Sequence, residues 1–254
     1  MVKIKGASVK FASYSQTVPK FLDILKVSNE LKKYDKIVLK VNLSKNSEQN
    51  TPVEFVESVL QYCLKNKNPV AEIYIAEGSD GFETSELYDS LGYKKLAETY
   101  NIGLIDLNNT ETEEVKDDNF TKFESVKYPK ILLDSFIISL PKLSSDTEIL
   151  ISASLSNMLG AYPSAHYKGF FTKQKSRIKK WALKYSINDI VACKMPNLAI
   201  IDASSHGNII VGVPFEVDKQ ASKLLGLDYR NVPYLRLIEE NIILKQPIST
   251  EEKI

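Results

Sequence analysis

The feature that most narrows the fold is a rhythm. Short apolar runs rich in β-branched residues alternate with stretches of helical periodicity, and the runs end in polar turns. Residues 36–43 (KIVLKVNL) read as a strand running into the polar segment 44–50. Thr51 stands as a helix N-cap, Pro52 suits the first turn, and Phe55, Val59 and Leu60 share one helical face to about residue 65. A second strand over 70–76 closes in Glu77-Gly78-Ser79. A helix follows over 84–100 with Gly92 as a break, and then a third strand over 102–107. This βαβαβ order predicts an α/β fold: a mostly parallel sheet with helices on both faces, in a single elaborated domain. That domain is expected over residues 1–245, with 246–254 as a flexible tail.

The second half is less regular. Residues 123–128 and 132–140 read as strands parted by Pro129-Lys130. Residues 173–190 read as a helix with Ile178, Trp181, Ala182 and Tyr185 on one face. Strands are expected over 198–203 and 208–213, then helices over 215–225, stopped by Gly226, and over 232–241. Glu111, Glu113, Glu114, Asp117 and Asp118 predict a solvated loop, and 108–119 is the one candidate boundary.

Charge sharpens the reading. Lys plus Arg is 33 and Asp plus Glu is 32, which argues against a dedicated nucleic-acid binder. The balance is local, however. Residues 149–188 contain no Asp or Glu but carry Lys168, Lys173, Lys175, Arg177, Lys179, Lys180 and Lys184, a charge of +7. Three readings stand: a solvated helix face, an anion site using Lys168, Lys173 and Lys175, or a docking face for an acidic protein partner. Nucleic acid is disfavoured, because Ile178 and Trp181 have the spacing of a helix core. The two cysteines, Cys63 and Cys193, make no disulfide scaffold, and no iron–sulfur cluster is expected within one chain. No apolar run reaches ~18 residues, so a spanning helix and a membrane partner are not expected. The N-terminal sequence lacks a signal-type apolar core, and a cytoplasmic protein is the expectation.

Ligands of open parallel sheets bind beyond the strand carboxyl ends. Lys40 and Asn42 close one strand, Glu77 and Ser79 the next, Lys142 follows another, and Asp202 and His206 follow the strand over 198–203. No phosphate-loop, dinucleotide or nucleophile-elbow signature occurs. His166 is the candidate proton-transfer group. A metal set of Asp202 and His206, with His166 beside them, is chemically reasonable for imidazole and carboxylate ligands.

The ordered motifs resemble those of the family called domain of unknown function 362. They are Lys40-Val41-Asn42-Leu43, Ala76-Glu77-Gly78-Ser79, Gly92-Tyr93, Tyr128-Pro129-Lys130, Leu140-Pro141-Lys142 and Asn157-Met158-Leu159-Gly160. The strand from Pro196 to Asp202 and the helix from Val217-Asp218 to Leu225-Gly226 continue the series. The family's Pro-Lys-Leu-Lys-Thr-His is here Pro141-Lys142-Leu143-Ser144-Ser145-Asp146, and its Lys-Asn is Ser156-Asn157, so two lysines and a histidine are missing. Of the family's polar cluster, the resemblance leaves Lys142, Asn157, His166, Asp202 and Asp218.

Two functions follow from the residues. In one, an enzyme-like protein binds a small anionic molecule, with or without a metal ion, in a cleft at the strand carboxyl ends. Lys40, Asn42, Ser79, Lys142, Asn157 and Lys168 would bind the ligand, and Glu77 and His166 would move protons. In the other, a non-catalytic accessory protein handles a redox or cofactor partner through its basic face. The cofactor is unassigned in both, and a homo-oligomer is compatible with both.

Overall fold

A computed structural model describes residues 6–45 and 47–244, and the expected tail lies outside them. The strands are β1 (Ala7–Lys10), β2 (Lys36–Val41), β3 (Glu72–Glu77), β4 (Gly103–Asp106), β5 (Thr112–Val115), β6 (Val126–Pro129), β7 (Phe136–Leu140), β8 (Ser144–Asp146), β9 (Leu150–Ser152), β10 (Leu198–Ala203) and β11 (Asn208–Gly212). The helices are α1 (Tyr14–Ile24), α2 (Val27–Leu31), α3 (Val53–Asn66), α4 (Thr84–Ser90), α5 (Tyr93–Tyr100), α6 (Lys130–Leu133), α7 (Ser164–Tyr167), α8 (Leu183–Cys193), α9 (Pro214–Leu224) and α10 (Pro233–Leu244).

Seven strands form one sheet in the order β1-β11-β10-β7-β2-β3-β4. The run β10, β7, β2, β3, β4 is parallel, and β11 is antiparallel to both β10 and β1. The fold is thus α/β with a mostly parallel sheet. Alternation along the strands sorts two cores. Ile37, Leu39, Ile73, Ile138 and Ile200 meet α1 to α5, whereas Val38, Ile137, Ile201 and Ile210 meet helices of the second half. Strands covered on both faces read as near-continuous apolar runs, which is why β2, β3 and β10 were legible. Among the described residues, no helix is long and apolar enough to cross a membrane.

Several local expectations are corrected. Thr51 is not the cap of α3. Its hydroxyl donates to the Leu140 carbonyl (2.6 Å) and accepts from Asn42 N–H (2.9 Å), tying together the carboxyl ends of β2 and β7. Leu132 lies in the single turn α6, and β7 begins only at Phe136. The acidic segment contains β5, where Glu114 pairs with Lys127 (3.2 Å), and Glu111 just before it pairs with Lys130 (3.2 Å), so the charge cost of a strand there is offset locally. The helix expected over 173–190 is split: a 3-10 turn covers Ser176–Lys179 and α8 starts at Leu183, whose N–H is bonded by the Glu148 carboxylate at 2.6 Å. Ala182, assigned to the apolar face, is exposed. Strand β1 and helix α1 were not anticipated, because a short edge strand has a weak pattern.

One buried carboxylate fixes the approach to the sheet's carboxyl end. Asp218 of α9 accepts from Ser154 N–H (2.8 Å), Ser154 Oγ (2.5 Å), Leu155 N–H (3.0 Å) and Tyr234 Oη (2.9 Å). Burial pushes its pKa up to about 6, against the pull of these donors. A folded value above the unfolded one means that its stabilising contribution is present below about pH 4 and lost as pH rises through about 6. Asp218→Asn does not titrate. Between pH 4 and pH 7 the urea-derived stability of the wild type should therefore fall relative to this variant by roughly 2–3 kcal/mol. A difference that does not change with pH contradicts the assignment.

Candidate functional site

Strand order reverses at β2: the chain leaves it for β3 and β4 on one side and returns to β7 on the other. A crevice at such a switch point is a natural ligand position. Alternation sends Val38 and Lys40 to the second-half face of β2. Lys40 is there 0% exposed. Its ammonium donates to Glu77 Oε2 (2.8 Å), the Val41 carbonyl (2.7 Å) and Asn157 Oδ1 (3.3 Å), which uses all three N–H bonds. Burial pulls Lys40 below the usual lysine value, and the Glu77 carboxylate works against that.

The surrounding groups are held as tightly. Glu77 Oε1 accepts from Gly78 N–H at 2.7 Å. Asn157 Nδ2 donates to the Lys40 carbonyl (2.9 Å) and to Ser139 Oγ (3.0 Å), joining β2 and β7. Gly160 lies so close that a Cβ there would stand 2.2 Å from Glu77 Oε1 and 2.7 Å from Lys40 Nζ. This explains in steric terms why a glycine closes Asn157-Met158-Leu159-Gly160.

A second buried lysine comes from the cationic segment. Lys175 is 1% exposed. Its ammonium donates to the Gly78 carbonyl and to the Gly160 carbonyl (3.1 Å), and its backbone N–H donates to Asp80 Oδ1 (2.6 Å). Burial is the main cause that draws its pKa down to about 8. Sequence placed Lys175 among solvated or anion-binding lysines, and the inward turn of one of the seven cations has no sequence signal. Ser79, 2% exposed, has a side-chain hydroxyl without a hydrogen-bond partner.

Glu77, Ser79, Asn157 and Lys175 line a cavity of about 270 Å³ at the strand carboxyl ends, with Leu159 and Ile178 among its apolar walls. Asn42 also lines it, and its side-chain amide donates to the Gln49 carbonyl at 3.1 Å. The acids at this cavity are already engaged. Asp80 meets Lys179 at 2.6 Å, and Asp146 accepts from Glu148 and Ile149 N–H at 2.7 and 2.9 Å.

Other sequence candidates fall elsewhere. Lys142 and Asp202 are register partners, and Asp202 shares the parity of Leu198 and Ile200, which pack on the α1–α3 face opposite Lys40. Asp202 accepts there from Tyr14 Oη (3.0 Å) and Ser204 N–H (3.0 Å), and burial raises Tyr14 to about 12. His206 is exposed beside Ser205 (3.1 Å), and exposed His166 meets Thr112 (3.3 Å). Lys168 is exposed as well. The metal set of Asp202, His206 and His166 is therefore not assembled. Among the described residues, no three or more His, Cys, Asp or Glu side chains are grouped to hold an ion.

A mostly parallel α/β sheet with a polar cavity at its switch point defines the class, and the family model for "Domain of unknown function (DUF362)" matches residues 37–208. The chain belongs to that family. No curated protein matches it. Among solved structures its fold is similar to the lactate racemase apoprotein from Thermoanaerobacterium thermosaccharolyticum, with TM-score 0.55 and 14% identity. That match covers 89% of this chain and 58% of the other, so the chain spans little more than half the length of that protein.

Removing one partner of a buried ion pair strands the other charge. Lys40→Met should cost about 3–5 kcal/mol in urea unfolding, and adding Glu77→Gln should recover part of that loss. Additive losses in this double-mutant cycle would contradict a coupled pair.

Proposed function

We propose that the chain is an enzyme-like protein that binds a small anionic organic molecule in the switch-point cavity. The observation that carries this reading is a pair of unspent polar groups facing one space. Lys175 uses two of its three ammonium donors, and the buried Ser79 hydroxyl uses none. A carboxylate placed between them satisfies both. Buried polar groups without partners are uncommon, and each such group asks for an explanation.

Lys175 is the anion-binding cation in this reading, with a pKa of about 8 that leaves it mainly protonated at neutral pH. Ser79 orients the ligand, whereas Asn157, with both amide N–H bonds given to the Lys40 carbonyl and Ser139, holds the Lys40–Glu77 pair in place. Glu77, held by Lys40 and Gly78, accepts a hydrogen bond or a proton from a ligand hydroxyl. Lys40 has no free donor, so it positions Glu77 rather than touching the ligand. The solved neighbour is by name a racemase of lactate, a small hydroxy carboxylate. Ligands of that chemical class have the charge and the hydroxyl that this cavity would engage.

The test is calorimetric titration with D- and L-lactate, with acetate and inorganic phosphate as comparators. Binding of a hydroxy carboxylate should vanish in Lys175→Met and weaken about tenfold in Ser79→Ala, the scale of one lost hydrogen bond to a charged group. The ammonium is the binding form, so affinity should be flat below pH 8 and fall as pH rises above about 8. Equal binding by Lys175→Met and wild type would refute the assignment.

A further inference from the structure

The cationic segment carries a feature that the cavity does not use. Phe170 and Phe171 are 95% and 96% exposed, and their rings meet edge to face at 4.8 Å. The loop bearing them is closed at its base: Gly169 N–H bonds the Gln174 carbonyl (3.0 Å), Lys173 meets Glu83 (3.0 Å) and Lys175 N–H meets Asp80 (2.6 Å). The two rings are thus held out as one wedge. Adjacent exposed aromatics on a braced loop mark an interaction surface.

Charge says what kind of surface. Lys168, Arg177 and Lys180 are exposed in the same segment as the wedge. Lys168 has no ion-pair partner among the described residues, Arg177 donates to the His166 carbonyl, and Lys180 lies over the Trp181 ring. The His166–Thr112 contact joins this region to β5. Glu113 and Asp118, in and just after β5, are exposed and have no ion-pair partner among the described residues. The His166–Thr112 contact thus sets a basic segment, as one patch, against a net acidic one in which Glu111, Glu113, Glu114 and Asp118 are exposed with the single exposed lysine Lys116 among them. A polyanion such as a lipid surface or RNA would be repelled by the acidic half. A second copy of the chain, turned about a two-fold axis between the patches, meets each patch with its opposite.

We propose that the chain self-associates through this region as an isologous dimer. Phe170 and Phe171 of each copy lie against the β5–β6 hairpin of the other, and Lys168 and Lys180 face Glu113 and Asp118. The inference is independent of the ligand reading, since none of these residues lines the cavity.

Sedimentation equilibrium of the full chain tests it. The wild type should dimerise in the micromolar range and more weakly as salt is raised, because exposed ion pairs are screened. Phe170→Ser with Phe171→Ser should leave a monomer with unchanged melting temperature. Lys168→Glu with Lys180→Glu should raise the dissociation constant at least about tenfold, and adding Glu113→Lys and Asp118→Lys should restore it. A wild type still monomeric at about 100 μM, a far weaker affinity than that of specific protein pairs, overturns the proposal. So does a dimer indifferent to the two phenylalanines, or charge reversals that fail to compensate. A monomer that binds phosphatidylserine vesicles through the phenylalanines would assign the wedge to a membrane and equally overturn it.

Discussion

A lysine placed by strand alternation on the covered face of a parallel sheet must be fully bonded or it destabilises the fold. Lys40 meets that demand with the Glu77 carboxylate, a main-chain carbonyl and Asn157. Much of the neighbouring structure follows from it. The Glu77 carboxylate has to end β3 beside β2. Asn157 has to arrive from far along the chain, which requires the turn 153–155 to be pinned by Asp218. Gly160 has to lack a side chain, because the pair occupies the space. The buried ion pair is thus the point where sheet topology, the second helix layer and the cavity meet.

The pair also sets the chemistry available at the cavity. A carboxylate held by an ammonium and a backbone amide keeps its orientation without help from solvent. Across from it, Lys175 turns a surface-type residue into a buried cation whose proton is held less firmly than usual. Acceptor and donor groups fixed in advance bind charge more strongly than groups that must reorganise to meet it. Lys179 offsets part of the Asp80 charge, and Glu77 and Asp80 together still favour the protonated form of Lys175 against its burial.

The fold was legible in most strands covered on both faces, although the start of β7 was not. β10 appears at its expected bounds, and Gly92, with φ of +84°, parts α4 from α5 as its place in the pattern implied. Legibility failed where a long-range contact overrode local periodicity. Residues 173–190 have good helical spacing, yet Lys175 is drawn inward to the carbonyls of Gly78 and Gly160, and the helix starts again only at Leu183. Thr51 has the look of a cap but is taken by strand ends. Of the candidate site residues, Lys40, Glu77, Ser79, Asn42 and Asn157 gather in one region, whereas Lys142 and Asp202 have the wrong parity and His166, His206 and Lys168 lie at the surface.

By itself the sequence determined the α/β class, the parallel core and the polar residues at the strand ends, because periodicity and turn chemistry are properties of neighbours along the chain. Only the tertiary structure decided which of those residues share a cavity. That choice depends on strand parity and order, and on which distant loop returns to cover the sheet. A shift of one residue in register sends a side chain to the opposite face. The +7 segment shows the difference most plainly. Its sum was visible in composition, but one of its lysines is buried beneath a ligand-sized cavity while others flank an exposed aromatic wedge, and burial alone separates those two roles.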